Sequence, residues 1–204
     1  MKTMAEYREH FPIFKNTVYI NSCSYAALSN EVENAFLEYL KDRHEVGADW
    51  INWCDRLERV RALFAKLLGA KADEIAVTTS ASASLSAISS SLDFSGTRKK
   101  IITTDLAFPT EAQAWHALKK HGAEVVHVKE KNGMIDLDDL ERLVDDQTLL
   151  VAVPLVCYRN GALADVPSIR NIARSAGAMI LVDAYQGVGA VPIDVEQWDV
   201  DFIV

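Results

Sequence analysis

Thr78-Thr79-Ser80-Ala81-Ser82-Ala83-Ser84 crowds hydroxyls and small side chains into one turn at the head of a helical pattern. A helix that starts on small residues leaves its first N–H groups open. With the positive end of the helix dipole, those groups hold a phosphate without any lysine. The segment is not a P-loop, because no G-x-x-x-x-G-K-[ST] is present. Taken alone, the same residues read more readily as an ordinary serine cap. Further on, Asp105-Leu106-Ala107-Phe108-Pro109-Thr110 puts an aromatic ring on a loop. A phenylalanine there lies flat on a planar ligand, or else packs its own loop down. The third place is Leu181-Val182-Asp183-Ala184-Tyr185-Gln186, where an apolar run closes on an aspartate. A carboxylate ending a buried strand is costly unless a cation or a hydrogen-bond donor meets it. A protonated ring nitrogen satisfies it, and so does a structural role as the cap of the next turn. Phosphate cradle, stacking ring and buried aspartate together are what pyridoxal phosphate (PLP) requires: an anchored phosphate, a held ring and a pyridine nitrogen kept protonated.

These residues act together only if the fold brings them to one edge. The segments 74–79, 99–105, 123–129, 148–156, 178–183 and 200–204 read as strands, separated by amphipathic helices at 81–92, 110–121, 136–144 and 166–177. Near-continuous apolar strands alternating with helices predict an α/β fold, a mainly parallel sheet with helices on both faces. Ligands of such sheets sit beyond the carboxyl ends of the strands. That rule selects 79–82, 105–110, 156–161 and 183–189, which contain all three features. Gly187-x-Gly189 is no dinucleotide fingerprint, because Pro192 stands at the third glycine position. Upstream, 17–23 reads as extended, and helices are predicted over 30–41, with Asn30 and Glu33 as its cap, and over 55–68, with Gly69 as its stop. Two parts follow: 1–70, an extended segment with helices, and 71–204, the cofactor-binding sheet domain, incomplete at its C-terminal end.

Lys+Arg number 21 against 29 Asp+Glu, a net charge of −8. Such a balance argues against nucleic acid or an anionic membrane as partner, but not against a small anion held by backbone N–H groups. No run of 18 apolar residues spans a bilayer, and the N-terminal stretch lacks the apolar core of a signal peptide. Cys23, Cys54 and Cys157 are few and far apart, which points to reduced thiols in the cytoplasm. Cys157 reads as a small buried hydrophobe rather than a reactive thiol. His116 and His121 sit five apart, off one helical face, and predict no metal site. Trp50 and Trp53, ahead of the second predicted helix, are a substrate-side or interface patch or simple packing.

The segments VYINSCSYAALS, RALFAKLLGAKADEIAVTTSASASLSAI, ITTDLAFPTEAQAW, VCYRNGALADV and GAMILVDAYQGVGAVPIDV resemble the class V aminotransferase group of fold-type-I PLP enzymes. Cysteine desulfurases, selenocysteine lyases and kynureninases belong to that group, and the resemblance runs over essentially the whole chain. It implies that Ala81 and Ser82 hold the PLP phosphate, Phe108 stacks on the ring, Asp183 pairs with the pyridine nitrogen and Gln186 approaches the ring hydroxyl. Tyr158 falls near a polar position beside that hydroxyl, where asparagine is common. Asn21 and Ser22 fall in the stretch that borders the substrate. The lysine that carries the cofactor in the family falls beyond Val204, as does the smaller domain with the arginine for the substrate carboxylate. The resemblance therefore implies the N-terminal half of a homodimeric PLP enzyme acting on an amino acid by transamination, C–S or C–Se cleavage, β-hydrolysis or epimerisation. The alternative is a non-catalytic α/β module that binds a phosphorylated ligand, or a dimerising domain.

Overall fold

A computed structural model describes residues 3–204, and its packing divides in two, up to Arg59 and from Val60 onward. The first unit opens on α1 (Met4–Arg8), closed at its start by a capping box between Thr3 and Glu6. Residues 17–20, predicted as extended, join no sheet, and a turn follows. In α2 (Asn30–Glu45) the cap is Ser29, whose hydroxyl accepts the Val32 N–H, and not Asn30. The next helix, α3 (Trp50–Leu68), starts five residues earlier than its apolar pattern predicts. The reason is Asp49, whose carboxylate accepts the Asn52 N–H at 3.2 Å and so caps the helix before its apolar stripe begins. Trp50 and Trp53 thus lie inside the first turns of α3 rather than ahead of it. Their rings meet edge to face at 5.1 Å.

In the second unit α3 stops where Gly69 takes φ +71° and the Ala70 N–H returns to the Ala65 carbonyl. Residues 75–78, predicted as a strand, form no ladder, because no neighbouring strand pairs with them among the described residues. The chain continues through α4 (Ala81–Ser91), β1 (Lys100–Thr104), α5 (Pro109–Ala117), β2 (Glu124–Val128), β3 (Glu130–Lys131), β4 (Met134–Ile135), α6 (Leu137–Leu143), β5 (Thr148–Pro154), α7 (Val166–Ser175), β6 (Met179–Asp183), α8 (Val195–Trp198) and β7 (Phe202–Ile203). The last strand is shorter than its apolar run of 200–204. The hairpin β3–β4 was not among the predicted elements; it turns on Asn132-Gly133, both at positive φ.

Five strands form one parallel sheet in the order β2-β1-β5-β6-β7. Alternate residues face opposite sides. Ile101, Leu150, Ala152 and Leu181 pack against Leu85 of α4 and Trp115 of α5. Ile102, Val151, Val153, Ile180 and Val182 pack against Leu140 of α6 and Val166, Ile169 and Ala173 of α7. At the amino end of the sheet the Arg98 guanidinium donates to the Thr148 and Ala176 carbonyls, both at 2.8 Å. Because the chain runs outward from β1 to β2 and then returns to β5 on the other side of β1, the strand order reverses between β1 and β5. A crevice at the carboxyl ends follows from that reversal. No helix among the described residues is long and apolar enough to cross a membrane.

The turn after β6 depends on Gly187. A Cβ there would run into Leu155 Cδ2, with Cγ 3.1 Å away, and Leu155 is 2% exposed. Gly187→Ala is expected to cost about 1–2 kcal/mol through this overpacking. The check is a lower urea midpoint at an unchanged m-value.

Candidate cofactor site at the carboxyl ends of the strands

The serine-rich turn supplies the cap of its helix from Ser80, and leaves the first N–H groups of the helix without an intrahelical acceptor. Ser80 is the cap: its hydroxyl accepts the Ala83 N–H at 3.1 Å. The Thr78 hydroxyl donates to the Ser80 carbonyl at 3.1 Å and lies 2.7 Å from Ser84 Oγ, so both hydroxyls are used within the turn. The N–H groups of Ala81 and Ser82, the first two of α4, have no acceptor inside the helix by its geometry. Ser82 is exposed and Ala81 half-buried. The turn therefore presents two N–H groups and one hydroxyl outward at the positive end of an 11-residue helix.

Phe108 caps α5, with Pro109 in the first helical position fixing the backbone direction. Its ring meets that of Tyr158 edge to face, with centroids 5.1 Å apart and planes at 79°. Phe108 follows β1 and Tyr158 follows β5, so the aromatic pair stands over the strand-order reversal. Arg159, next to Tyr158, donates to the Asp105 carbonyl at 2.8 Å and ties the same two loops.

Asp183 ends β6 on the face that Leu181 shares with α4 and α5. It is buried, and its Oδ1 accepts the Tyr185 N–H at 3.0 Å. The structural role as a cap is therefore real, yet no basic side chain pairs with Asp183 among the described residues. Burial pushes its carboxyl above the usual range, against the lowering effect of the Tyr185 N–H.

Glu111 belongs to this site and was not singled out in the sequence. It lies on α5, fully buried, with Oε1 accepting from Trp115 Nε1 at 3.2 Å and from the Thr103 hydroxyl at 3.4 Å. Oε2 is buried without a hydrogen-bond partner. Its pKa is raised to about 7, by burial first, while the Trp115 bond lowers it and the charge of Asp183 raises it again. Two buried carboxyls under mutual repulsion do not ionise independently, and the penalty falls on the one that ionises second, the more deeply buried Glu111. The signal in the sequence was the i,i+4 spacing of Glu111 and Trp115.

Gln186 is half-buried in the turn that follows Asp183. Asn21 and Ser22 lie exposed in the first unit, where the Asn21 carbonyl accepts the N–H groups of Ser24 and Tyr25. Cys157 is buried, as its small-hydrophobe reading expects. Lys100 is buried at the amino end of β1, bonded to Asp145 at 2.5 Å, and Lys129 follows β2 and reaches Asp105 at 3.1 Å. His116 pairs not with His121 but with His127 on β2.

The geometry can be set beside known proteins. The profile of the family described as aminotransferase class-V matches residues 24–204. An uncharacterized aminotransferase of Bacillus subtilis is 35% identical over 97% of this chain and 53% of its own length. A kynureninase of Geobacillus thermodenitrificans is 29% identical over 98% of this chain and 49% of its own. Among solved structures, a cysteine desulfurase of Thermococcus onnurineus superposes with a TM-score of 0.85 at 26% identity, over 100% of this chain and 52% of that one. The chain spans about half the length of the curated relatives it matches.

Proposed function

The chain belongs to the class V aminotransferase family, and on that footing we propose that the whole protein holds PLP at the carboxyl ends of β1, β5 and β6 and labilises a bond of an amino-acid substrate. The observation that carries this is Asp183, a buried carboxyl without a basic partner among the described residues, at the end of a strand whose face also carries α4. The residues present fit the group. Asp183 and Glu111 supply buried acceptors, the start of α4 supplies donors for a phosphate, and the Phe108–Tyr158 pair supplies an aromatic wall.

When bound, PLP supplies an electron sink. Asp183, ionised, holds a proton on the ring nitrogen across a charge-assisted hydrogen bond. The N–H groups of Ala81 and Ser82 anchor the phosphate, with the Ser82 hydroxyl beside them. Phe108 covers one ring face, and the edge contact with Tyr158 fixes its rotamer. Gln186 reaches the ring hydroxyl, and Asn21 and Ser22 border the substrate. The carrier lysine is assigned outside residues 1–204. The reaction class is that of the family relatives, a transamination, a C–S or C–Se cleavage, a β-hydrolysis or an epimerisation. We further place the protein in the cytoplasm as a homodimer without nucleic-acid partners. The three cysteines, none of them in a disulfide, the charge of −8 and the exposed Phe36, Leu37 and Leu40 of α2 support these assignments.

The whole protein, incubated with PLP and desalted, is expected to show the visible absorption of lysine-bound cofactor, and this 204-residue chain alone is not. A whole protein that emerges colourless overturns the proposal.

A further inference from the structure

His116, in the last turn of α5, and His127, on the edge strand β2, meet through their Nε2 atoms at 2.9 Å. Their planes lie 15° apart, and the centroid separation of 5.1 Å exceeds the nitrogen separation by only the two ring radii. The rings therefore meet edge-on, lone pair toward lone pair. That arrangement suits one shared proton, not a tetrahedral metal whose imidazole ligands converge at an angle on a third point. No group of three metal-binding side chains occurs among the described residues.

Around the pair, Asp105 Oδ1 lies 3.5 Å from His127 Nδ1, and Lys129 Nζ lies 3.1 Å from Asp105 Oδ2. Lys119, in the turn after α5, is the other facing charge. The Asp105 carboxylate 3.5 Å away favours the His127 tautomer with its proton on Nδ1, and with that tautomer His127 Nε2 accepts and His116 Nε2–H donates. One added proton leaves the contact intact, because an imidazolium donates to an imidazole. A second sets N–H against N–H and charge against charge, and the contact is lost. Burial first, then Lys119 and His127, hold His116 below its ordinary value, so this second step comes on the acid side.

We infer that His116 and His127 form a proton-sharing latch that fastens the end of α5 to β2 near neutrality and opens on acidification, shifting the helix that carries Phe108. The path is contiguous: α5 opens on Phe108, and Asp105 touches both the latch and, through its carbonyl, the Arg159 beside Tyr158. The consequence for a ligand rests on the function proposed above; the latch itself does not.

The test is an NMR titration of both imidazoles in the whole protein without added PLP, with amide exchange of residues 109–121 followed from pH 8 to pH 5. Exchange, corrected for intrinsic rate, is expected to rise about tenfold as His116 takes up its proton. His116→Gln keeps a donor but does not titrate, and its exchange is expected to stay flat; His127→Gln provides the same check from the other side. A rise that does not follow protonation of His116, or the same rise in His116→Gln, overturns the latch. An opening latch with pH-independent PLP affinity overturns the link to Phe108. Absence of PLP binding at every pH overturns the proposed function instead and leaves the exchange result standing.

Discussion

Asp183→Asn is expected to strip the whole protein of its cofactor while making the unliganded form more stable. The asparagine keeps the Oδ1 acceptor that the Tyr185 N–H needs, so the turn after β6 survives. What disappears is a negative charge held in a buried place, without a basic partner among the described residues. Because burial raises the folded pKa of Asp183 above its ordinary 3.8, the folded state gives up its proton later than the unfolded one. Stability therefore falls as pH climbs past the ordinary value, and the asparagine variant escapes that fall. Toward PLP the sign reverses. Losing one partner of a buried charged pair costs about 3 kcal/mol, or roughly two orders of magnitude in affinity. PLP retention after dialysis and urea melts of the unliganded protein at pH 8 measure the two halves. Unchanged PLP affinity would remove Asp183 from the site, and unchanged stability would mean the carboxylate is solvated.

The opposite signs are what a site built for a cation looks like before it is filled, and they bear on how much the sequence makes visible. The sheet was legible because its strands are apolar on both faces, and so was the edge to search, since the strand ends at Asp105 and Asp183 interrupt that pattern. Segment 74–79 shows the limit: its pattern is that of a strand, but a ladder is a property of two segments and none pairs with it. Asn132-Gly133 is a strong hairpin signal, but flanks of only two residues each give no strand pattern to set beside it. Glu111 was hidden more deeply. FPTEAQAW reads as the polar start of an amphipathic helix, and only the packing of α5 on β1 turns its glutamate inward to Thr103. His127 was hidden for the same reason: its partner His116 lies eleven residues away on another element.

Glu111→Gln isolates the second buried acid and yields a pH signature of its own. In the folded protein Glu111 holds its proton up to about pH 7, against an ordinary value of 4.5. Below 4.5 both folded and unfolded states are protonated, and the residue has no effect on the pH dependence. Between 4.5 and 7 the unfolded chain has lost the proton and the folded one has not, so stability declines as pH rises; above 7 the loss is complete. A shift of that size corresponds to about 3 kcal/mol. Glutamine preserves an acceptor for Trp115 and Thr103 but cannot ionise, so the variant is expected to match the native protein near pH 4.5 and to exceed it by about 3 kcal/mol at pH 8. Denaturant melts across that range read the difference directly. A second consequence separates the two acids. With Asp183→Asn in place, the repulsion that raises Glu111 is gone, its pKa falls, and Glu111→Gln gains less in that background than in the native one. Equal gains in both backgrounds would show that burial alone sets Glu111. A gain independent of pH would show that Glu111 ionises alike in the folded and unfolded chain, and a gain still rising beyond pH 8 would show that its orphaned Oε2 carries a proton even there.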